Sequence, residues 1–174
     1  MNNIHIETGR FVLRPLTPGD ASERYASWFS DPDVKRYITS ARAVPSVEEL
    51  RQYIAARERS PDVLFLGVFV RSDGTHIGNI KFEPVDREAS RATLGIMIGD
   101  PVWRGQGAAA EIIAGANEWV AAHCGIREVV LGVARDHTGA KRAYEKAGFS
   151  VTPRDDSDPR DWIRMVWRPG TARA

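Results

Sequence analysis

The chain has one cysteine, Cys124, so no disulfide can form within it. It has no excess charge of one sign: 24 Lys and Arg residues stand against 23 Asp and Glu, a formal net charge of +1. A dedicated nucleic-acid binder usually carries a marked basic excess, so that class is set aside. No apolar run approaches the ~20 residues needed to cross a bilayer. The opening MNNIHIETGR lacks the basic-then-apolar pattern of a secretory leader. None of His5, His76, His123 and His137 makes a zinc-ligand spacing with Cys124. His123 is adjacent to Cys124, but neighbouring side chains on a helix point about 100° apart, which argues against a thiol–imidazole pair. Repeats and low-complexity segments are missing as well. The expectation from these absences is a cytoplasmic protein in a reducing compartment, with no metal and with neither nucleic acid nor membrane as partner.

What is present suits one domain. The 174 residues are 43% hydrophobic, and a chain of this length buries roughly 70% of its unfolded surface. Residues 10–14 alternate as a strand that ends at Pro15. A helix is expected over roughly 20–29, a short helical stretch around Val34, Tyr37 and Ile38, and a third helix over 46–59. Ser46 and Glu49 there form a capping box. Residues 63–70, 75–85 and 91–99 then read as three successive antiparallel strands, the first pair joined at Ser72-Asp73-Gly74. A helix over 107–122, a strand over 128–134 and a helix over 138–147 follow, the last ended by Gly148. Strands at 149–153 and 161–168 close the chain. The order predicts an α+β fold with a mixed sheet and helices packed on it.

The most informative stretch is Arg104-Gly105-Gln106-Gly107-Ala108-Ala109-Ala110-Glu111, set between a strand and an amphipathic helix. Glycines let backbone N–H groups approach a ligand, and a first helical turn leaves its N–H groups unpaired. With the helix dipole, these make a site for a pyrophosphate. Gly105, Gly107 and Ala110 also satisfy the dinucleotide pattern G-x-G-x-x-A. That pattern wants its first glycine close behind a parallel strand, yet residues 100–104 intervene and the preceding strands read as antiparallel.

Arg104, Gly107 and Ala109 meet the pattern Q/R-x-x-G-x-G/A, and here the chain resembles the GNAT superfamily of acyl-CoA-dependent N-acyltransferases. A second landmark agrees: in HTGAKRAYEKAGF, residues Ala140, Tyr144, Glu145, Lys146, Gly148 and Phe149 stand in register with the family's N-x-x-A-x-x-x-Y-E-K-x-G-F segment. The opening Leu13-Arg14-Pro15-Leu16, Asp20 and Asp31-Pro32-Asp33-Val34 is similar to the RimJ/RimL-like branch, and His76-Ile77-Gly78-Asn79-Ile80-Lys81 to members that act on amino sugars. The resemblance implies a GNAT fold: a mostly antiparallel central sheet of six to seven strands, flanked by helices and splayed at an acyl-CoA cleft. It implies a single domain over 1–174, a monomer or homodimer, and acetyl-CoA as donor to an amine on a small molecule or a protein N-terminus.

Carried over residue by residue, the resemblance puts the pantetheine arm on the backbone of Met97, Ile98 and Gly99. The pyrophosphate falls on Arg104, Gly105, Gln106, Gly107, Ala108 and Ala109. A backbone N–H near Ile98 would polarise the thioester carbonyl. Tyr144 matches the tyrosine that returns a proton to the leaving thiolate. His137 stands where the family usually has asparagine, and its imidazole can still donate to CoA. Lys141 and Lys146, with Arg135 and Arg142, make the segment basic enough to meet the 3′-phosphate. Thr93 replaces a glutamate found in many relatives; Glu83 and Asp86 remain as candidates for the general base, with Glu83 the expected one, and proton loss relayed through water stays open. Trp28, Tyr37 and Asn79 are expected on the acceptor side, and Asp155, Asp156, Asp158 and Asp161 form an acidic turn that could draw a cationic amine. Two other readings stay open: a catalytically silent acyl-CoA-binding domain, and a dinucleotide-binding oxidoreductase.

Overall fold

A computed structural model describes residues 4–38, 43–153 and 161–170. Among them are strands β1 (Ile6–Glu7), β2 (Phe11–Pro15), β3 (Leu64–Val70), β4 (His76–Asp86), β5 (Arg91–Ile98), β6 (Glu128–Ala134), β7 (Ser150–Val151) and β8 (Trp162–Trp167). The helices are α1 (Glu23–Ser27), α2 (Pro32–Tyr37), α3 (Val47–Glu58), α4 (Ala108–Cys124) and α5 (Thr138–Lys146). None of the described helices is long and apolar enough to cross a membrane.

All eight strands join one sheet in the order β1-β2-β3-β4-β5-β6-β8-β7. Each neighbouring pair is antiparallel except β5 and β6. The strand beyond the expected six or seven is β1, which pairs Ile6 with Leu13. Two residues are too few to show an alternation, so the strand has no periodic signature.

Strand alternation builds two cores on opposite faces. Leu66 and Val68 of β3, Ile80 and Phe82 of β4, and Leu131 and Val133 of β6 pack against Ile112, Ala116 and Val120 of α4. On the other face Phe69 meets Tyr25, Trp28, Leu50 and Ile54 from the N-terminal helices, with Phe65 and Met97 at the margin. A fully buried side chain such as Ile80 or Ile112 contributes about 1.5–3 kcal/mol by leaving water.

The caps agree with the sequence in one place and correct it in another. Ser46 and Glu49 form the reciprocal capping box at the start of α3. The helix expected over 20–29 is broken into a 3-10 turn at Pro18–Asp20, α1, and a second 3-10 turn at Trp28–Ser30. The physical reason is competition for caps. Asp20 is drawn back to Arg14 and Thr17, while Ser22 accepts from the Tyr25 N–H and starts a new helix.

Candidate active site

The two central parallel strands pair only at Arg91–Glu128, Ala92–Val129 and Thr93–Val130. Beyond Thr93, β5 stays bonded to β4 as far as Ile98, and β6 stays bonded to β8 as far as Ala134. Leu94 to Ile98 therefore have no strand partner on their β6 side, and the sheet opens into a V. An edge of this kind is a template for an extended ligand to pair with.

At the open end of β5 lies the glycine-rich turn. Gly105 (φ +73°) and Gly107 (φ +74°) are left-handed, a conformation strained for other residues. Gly107 is the N-cap of α4, and the first helical bond runs from the Glu111 N–H to the Gly107 carbonyl. The N–H groups of Ala108, Ala109 and Ala110 precede that bond and are unpaired within the helix. A Cβ added at Gly107 would stand 3.7 Å from Lys146 Nζ and 3.9 Å from Arg10 Nη2. Two cations thus flank the unpaired N–H groups, and the site suits a diphosphate.

Arg10 escaped the sequence reading. It sits on the turn between β1 and β2, donates to Glu111 Oε2 at 2.7 Å and to the Gln106 carbonyl at 3.1 Å, and so ties the N-terminal hairpin to the glycine turn. Glu111 also accepts from Thr8 and from the Arg10 N–H, so its carboxylate faces away from the turn. These partners outweigh its burial and hold its carboxyl below the usual range. The separation of about 100 residues between the two ends left no local signal.

Arg104, the motif's first residue, is engaged within the protein. Its N–H donates to the Pro101 carbonyl, and its guanidinium donates to the carbonyls of Ile98 and Gly99 and to Asp31 at 2.9 Å. It braces the end of β5 against the N-cap of α2, and neither its N–H nor its fork is free for a phosphate. Gly99 is also covered: a Cβ there would fall 1.9 Å from the Trp28 indole.

Across the V stands α5. Tyr144 packs against the α4-side core, and its hydroxyl has no hydrogen-bond partner among the described residues. Burial alone pushes the phenol up to about 12, so it is protonated at neutral pH. His137 precedes α5 and stacks on Tyr37 of α2, with centroids 3.7 Å apart and planes at 17°. Next to them Arg36 pairs with Asp136 at 2.7 Å. An expected cofactor residue and an expected acceptor residue thus hold each other. Lys141 is half-buried on α5.

The face of the sheet under α1 and α3 carries the remaining expected residues. Trp28, expected on the acceptor side, is 5% exposed and packed on Tyr25 and His76 within the core. Asn79 is 4% exposed; its Oδ1 meets His76 Nε2 at 2.9 Å, and its Nδ2 has no partner. The Gly78 carbonyl, also 3.0 Å from that Nε2, can only accept, so Nε2 carries the proton. Burial holds His76 below its ordinary pKa and therefore neutral. Glu83 lies between Lys81 and Arg57. Burial works to raise its carboxyl, but the two cations prevail and hold it below the usual value. A carboxylate stabilised in that way is a weak base, which counts against the general-base role expected for Glu83. Of the acidic turn, Asp155, Asp156 and Asp158 lie outside the described residues, and Asp161 pairs with Arg135 at 2.7 Å. A cavity of about 260 Å³ near Val63, Val85 and Trp119 includes none of the expected cofactor residues. Among the described residues no group of His, Cys, Asp and Glu could hold a metal ion.

An open sheet with an unpaired strand edge leading into a phosphate-type turn can hold an extended ligand that ends in a diphosphate. The family model for the acetyltransferase (GNAT) domain matches residues 10–150, and the chain belongs to that family of acetyltransferases. It is 27% identical over 146 residues to the uncharacterized N-acetyltransferase YoaA of Bacillus subtilis, covering 83% of this chain and 81% of that one. Spermidine N-acetyltransferase from Vibrio cholerae, solved with CoA and spermine, superposes with a TM-score of 0.78 at 20% identity, over 91% of this chain and 95% of the other. RimL, a ribosomal L7/L12 alpha-N-protein acetyltransferase solved with CoA, gives 0.81 at 14%, over 95% and 98%. Both establish the shared fold.

Proposed function

We propose that the protein is an acetyl-CoA-dependent N-acetyltransferase in which an acceptor amine attacks the thioester directly. The observation that carries this reading is the continuity of the unpaired β5 edge, Leu94 to Ile98, with the N–H cradle at Gly107. An extended amide-bearing arm ending in a diphosphate needs that sequence of donors. The CoA complexes of the similar structures support the choice of carrier.

In this reading Met97 and Ile98 offer backbone groups to the arm, and the turn from Gly105 to Ala109 takes the diphosphate. Lys146 and Arg10 add charge there, and Lys141 faces the more distant phosphate. Arg104 and Gly99 act by fixing the end of β5. The bound donor supplies an acetyl thioester. Tyr144 then gives its proton to the departing sulfur. A thiol has an ordinary pKa of about 8.5, well below the raised phenol, but burial that penalises the phenolate penalises a thiolate equally and narrows the gap.

The acceptor must lose a proton without help from a strong carboxylate base. Freeing an alkyl amine at neutral pH costs about 4.6 kcal/mol, against roughly 1 for an α-amine. We therefore assign the acceptor to amines of low pKa, on an amino sugar or an N-terminus, with the proton passing to water. Thiol release from acetyl-CoA over a panel of amines tests the reading. Release with a low-pKa amine is expected. Tight CoA binding with no release for any amine would instead identify a silent acyl-CoA-binding domain, and displacement of CoA by NADH would support the dinucleotide reading.

A further inference from the structure

On the face that carries α1 and α3, helices cover β2 to β4, and among the described residues no helix covers the other half of the sheet. Thr93 and Gly95 of β5, Gly132 of β6 and Arg164 of β8 are all exposed there. They belong to one face, because Lys81 pairs with Gly95, Gly132 pairs with Arg164, and the alternate residues Leu94, Leu131 and Met165 enter the opposite core. Among the described residues nothing lies within 4 Å of a Cβ placed on Gly95, and the Trp162 ring lies over Gly132 at 2.9 Å from such an atom. The result is a strip floored by two glycines, with Trp162 at one end, along the V where β5 and β6 part.

The charges bordering this strip are unequal. On the β4 side Lys81 and Arg57 share a single carboxylate, Glu83, and the Lys81 ammonium also donates to the Tyr53 hydroxyl at 3.2 Å. The Arg57 guanidinium carbon stands 3.4 Å from the Tyr53 ring centroid, and its Nε, 3.4 Å from Glu83 Oε2, makes an ion pair but no hydrogen bond. On the β8 side Arg164 is exposed, with no side-chain partner among the described residues. Among the described residues the pairing at the strip therefore leaves positive charge on both borders. A polyamine would meet repulsion here, whereas an anionic group would complete the pairing.

We propose that this strip is an acceptor-recognition site for a small amine that carries an anionic group, a phosphate or a carboxylate. The anion lies against Lys81, Arg57 or Arg164, and the amine points toward the opening of the V. Lys81 and Arg164 are then specificity-determining residues. The inference rests on the acetyltransferase reading for the identity of the amine, but its test does not need turnover.

The test is equilibrium binding of matched pairs to the CoA-loaded protein: glucosamine 6-phosphate against glucosamine, and glycyl-aspartate against glycyl-asparagine, with spermidine as the cationic reference. At least one anionic member is expected to bind about tenfold or more tighter than its neutral partner, the worth of one hydrogen bond to a charged group. Which pair shows the difference separates phosphate from carboxylate. The advantage should collapse in Lys81→Gln or Arg164→Gln, both at exposed or half-exposed positions. Equal binding within both pairs, tighter binding of spermidine, or an advantage that survives both substitutions would overturn the proposal. If an anionic amine binds as expected yet releases no thiol from acetyl-CoA, the acetyltransferase reading fails while the site stands.

Discussion

The ring of Tyr37 lies flat on the imidazole of His137, and the pair joins α2 to the start of α5 across the mouth of the V. Burial holds His137 below its ordinary pKa of 6.5; Asp136 and Asp33 oppose the shift without cancelling it, and Arg36 adds to it. The folded state therefore disfavours the imidazolium. Above 6.5 both folded and unfolded chains carry neutral His137, and the clasp is at full strength. As pH falls below 6.5 the unfolded chain takes the proton first, and the stability of the clasp is lost through the lower folded pKa. An imidazole titration by NMR should place His137 below 6.5, and Tyr37→Ala should move it back up toward that value. A His137 titration that Tyr37→Ala leaves in place would sever the two.

Gly107 should tolerate no side chain without cost. An L residue at φ +74° costs about 1–2 kcal/mol, and its Cβ would enter the space beside Lys146 and Arg10. Gly107→Ala is expected to lower thermal stability modestly and to weaken CoA binding at least tenfold. Lys146→Ala should weaken CoA binding without the loss of stability, since Lys146 is exposed and has no ion-pair partner among the described residues. Calorimetric titration with CoA, set beside melting curves, separates the two effects. Unchanged CoA affinity in both variants would remove the diphosphate from this turn.

Which of these features the sequence discloses follows the range of the interaction. The run VLFLGVFV became β3, and the Ser46–Glu49 box started α3, because each is decided within a few residues. The glycine turn was readable for the same reason, since the left-handed conformation is a property of the glycines themselves. Arg10 beside Gly107, and Tyr37 on His137, join positions about 100 residues apart and have no local pattern. Arg104 shows a subtler failure. The motif marks its position, but its guanidinium is spent on the carbonyls of Ile98 and Gly99. An aromatic on a short helix, such as Trp28, serves core and acceptor side equally in the sequence, and only its packing against the bare Cα of Gly99 decides for core.

Asn117 lies on α4 with no exposed surface, and neither its Nδ2 nor its Oδ1 has a hydrogen-bond partner. A buried polar group left unpaired costs about 1–3 kcal/mol. Leucine is close in volume and makes no such demand, so Asn117→Leu is expected to raise the unfolding midpoint. CoA affinity should be unchanged, because the substitution lies more than two turns along α4 from Gly107. A fall in the midpoint would mean that the amide is better satisfied than its surroundings indicate.

Substitution of Glu83 tests how the acceptor loses its proton. Its carboxyl is held below the ordinary value by Lys81 and Arg57, against the pull of burial. A lowered carboxyl contributes stability that is present above its unfolded pKa of about 4.3 and is lost as pH falls through the lower folded value. Across pH 6–9 Glu83 is thus ionised throughout and can impose no titration on the rate. Glu83→Gln should leave the shape of the rate profile over that range unchanged. It should cost at most about 1 kcal/mol of stability, the usual limit for a partly exposed ion pair. It should also destroy the acid-side loss of stability that the carboxylate causes. A drop in turnover of a hundredfold or more, of the size that general acid–base catalysts contribute, would instead restore Glu83 as the base. The rate profile of the wild type then discriminates further. If water takes the proton, turnover rises with pH until the amine itself is free, so acceptors with different pKa values should show inflections that follow the acceptor and not the enzyme.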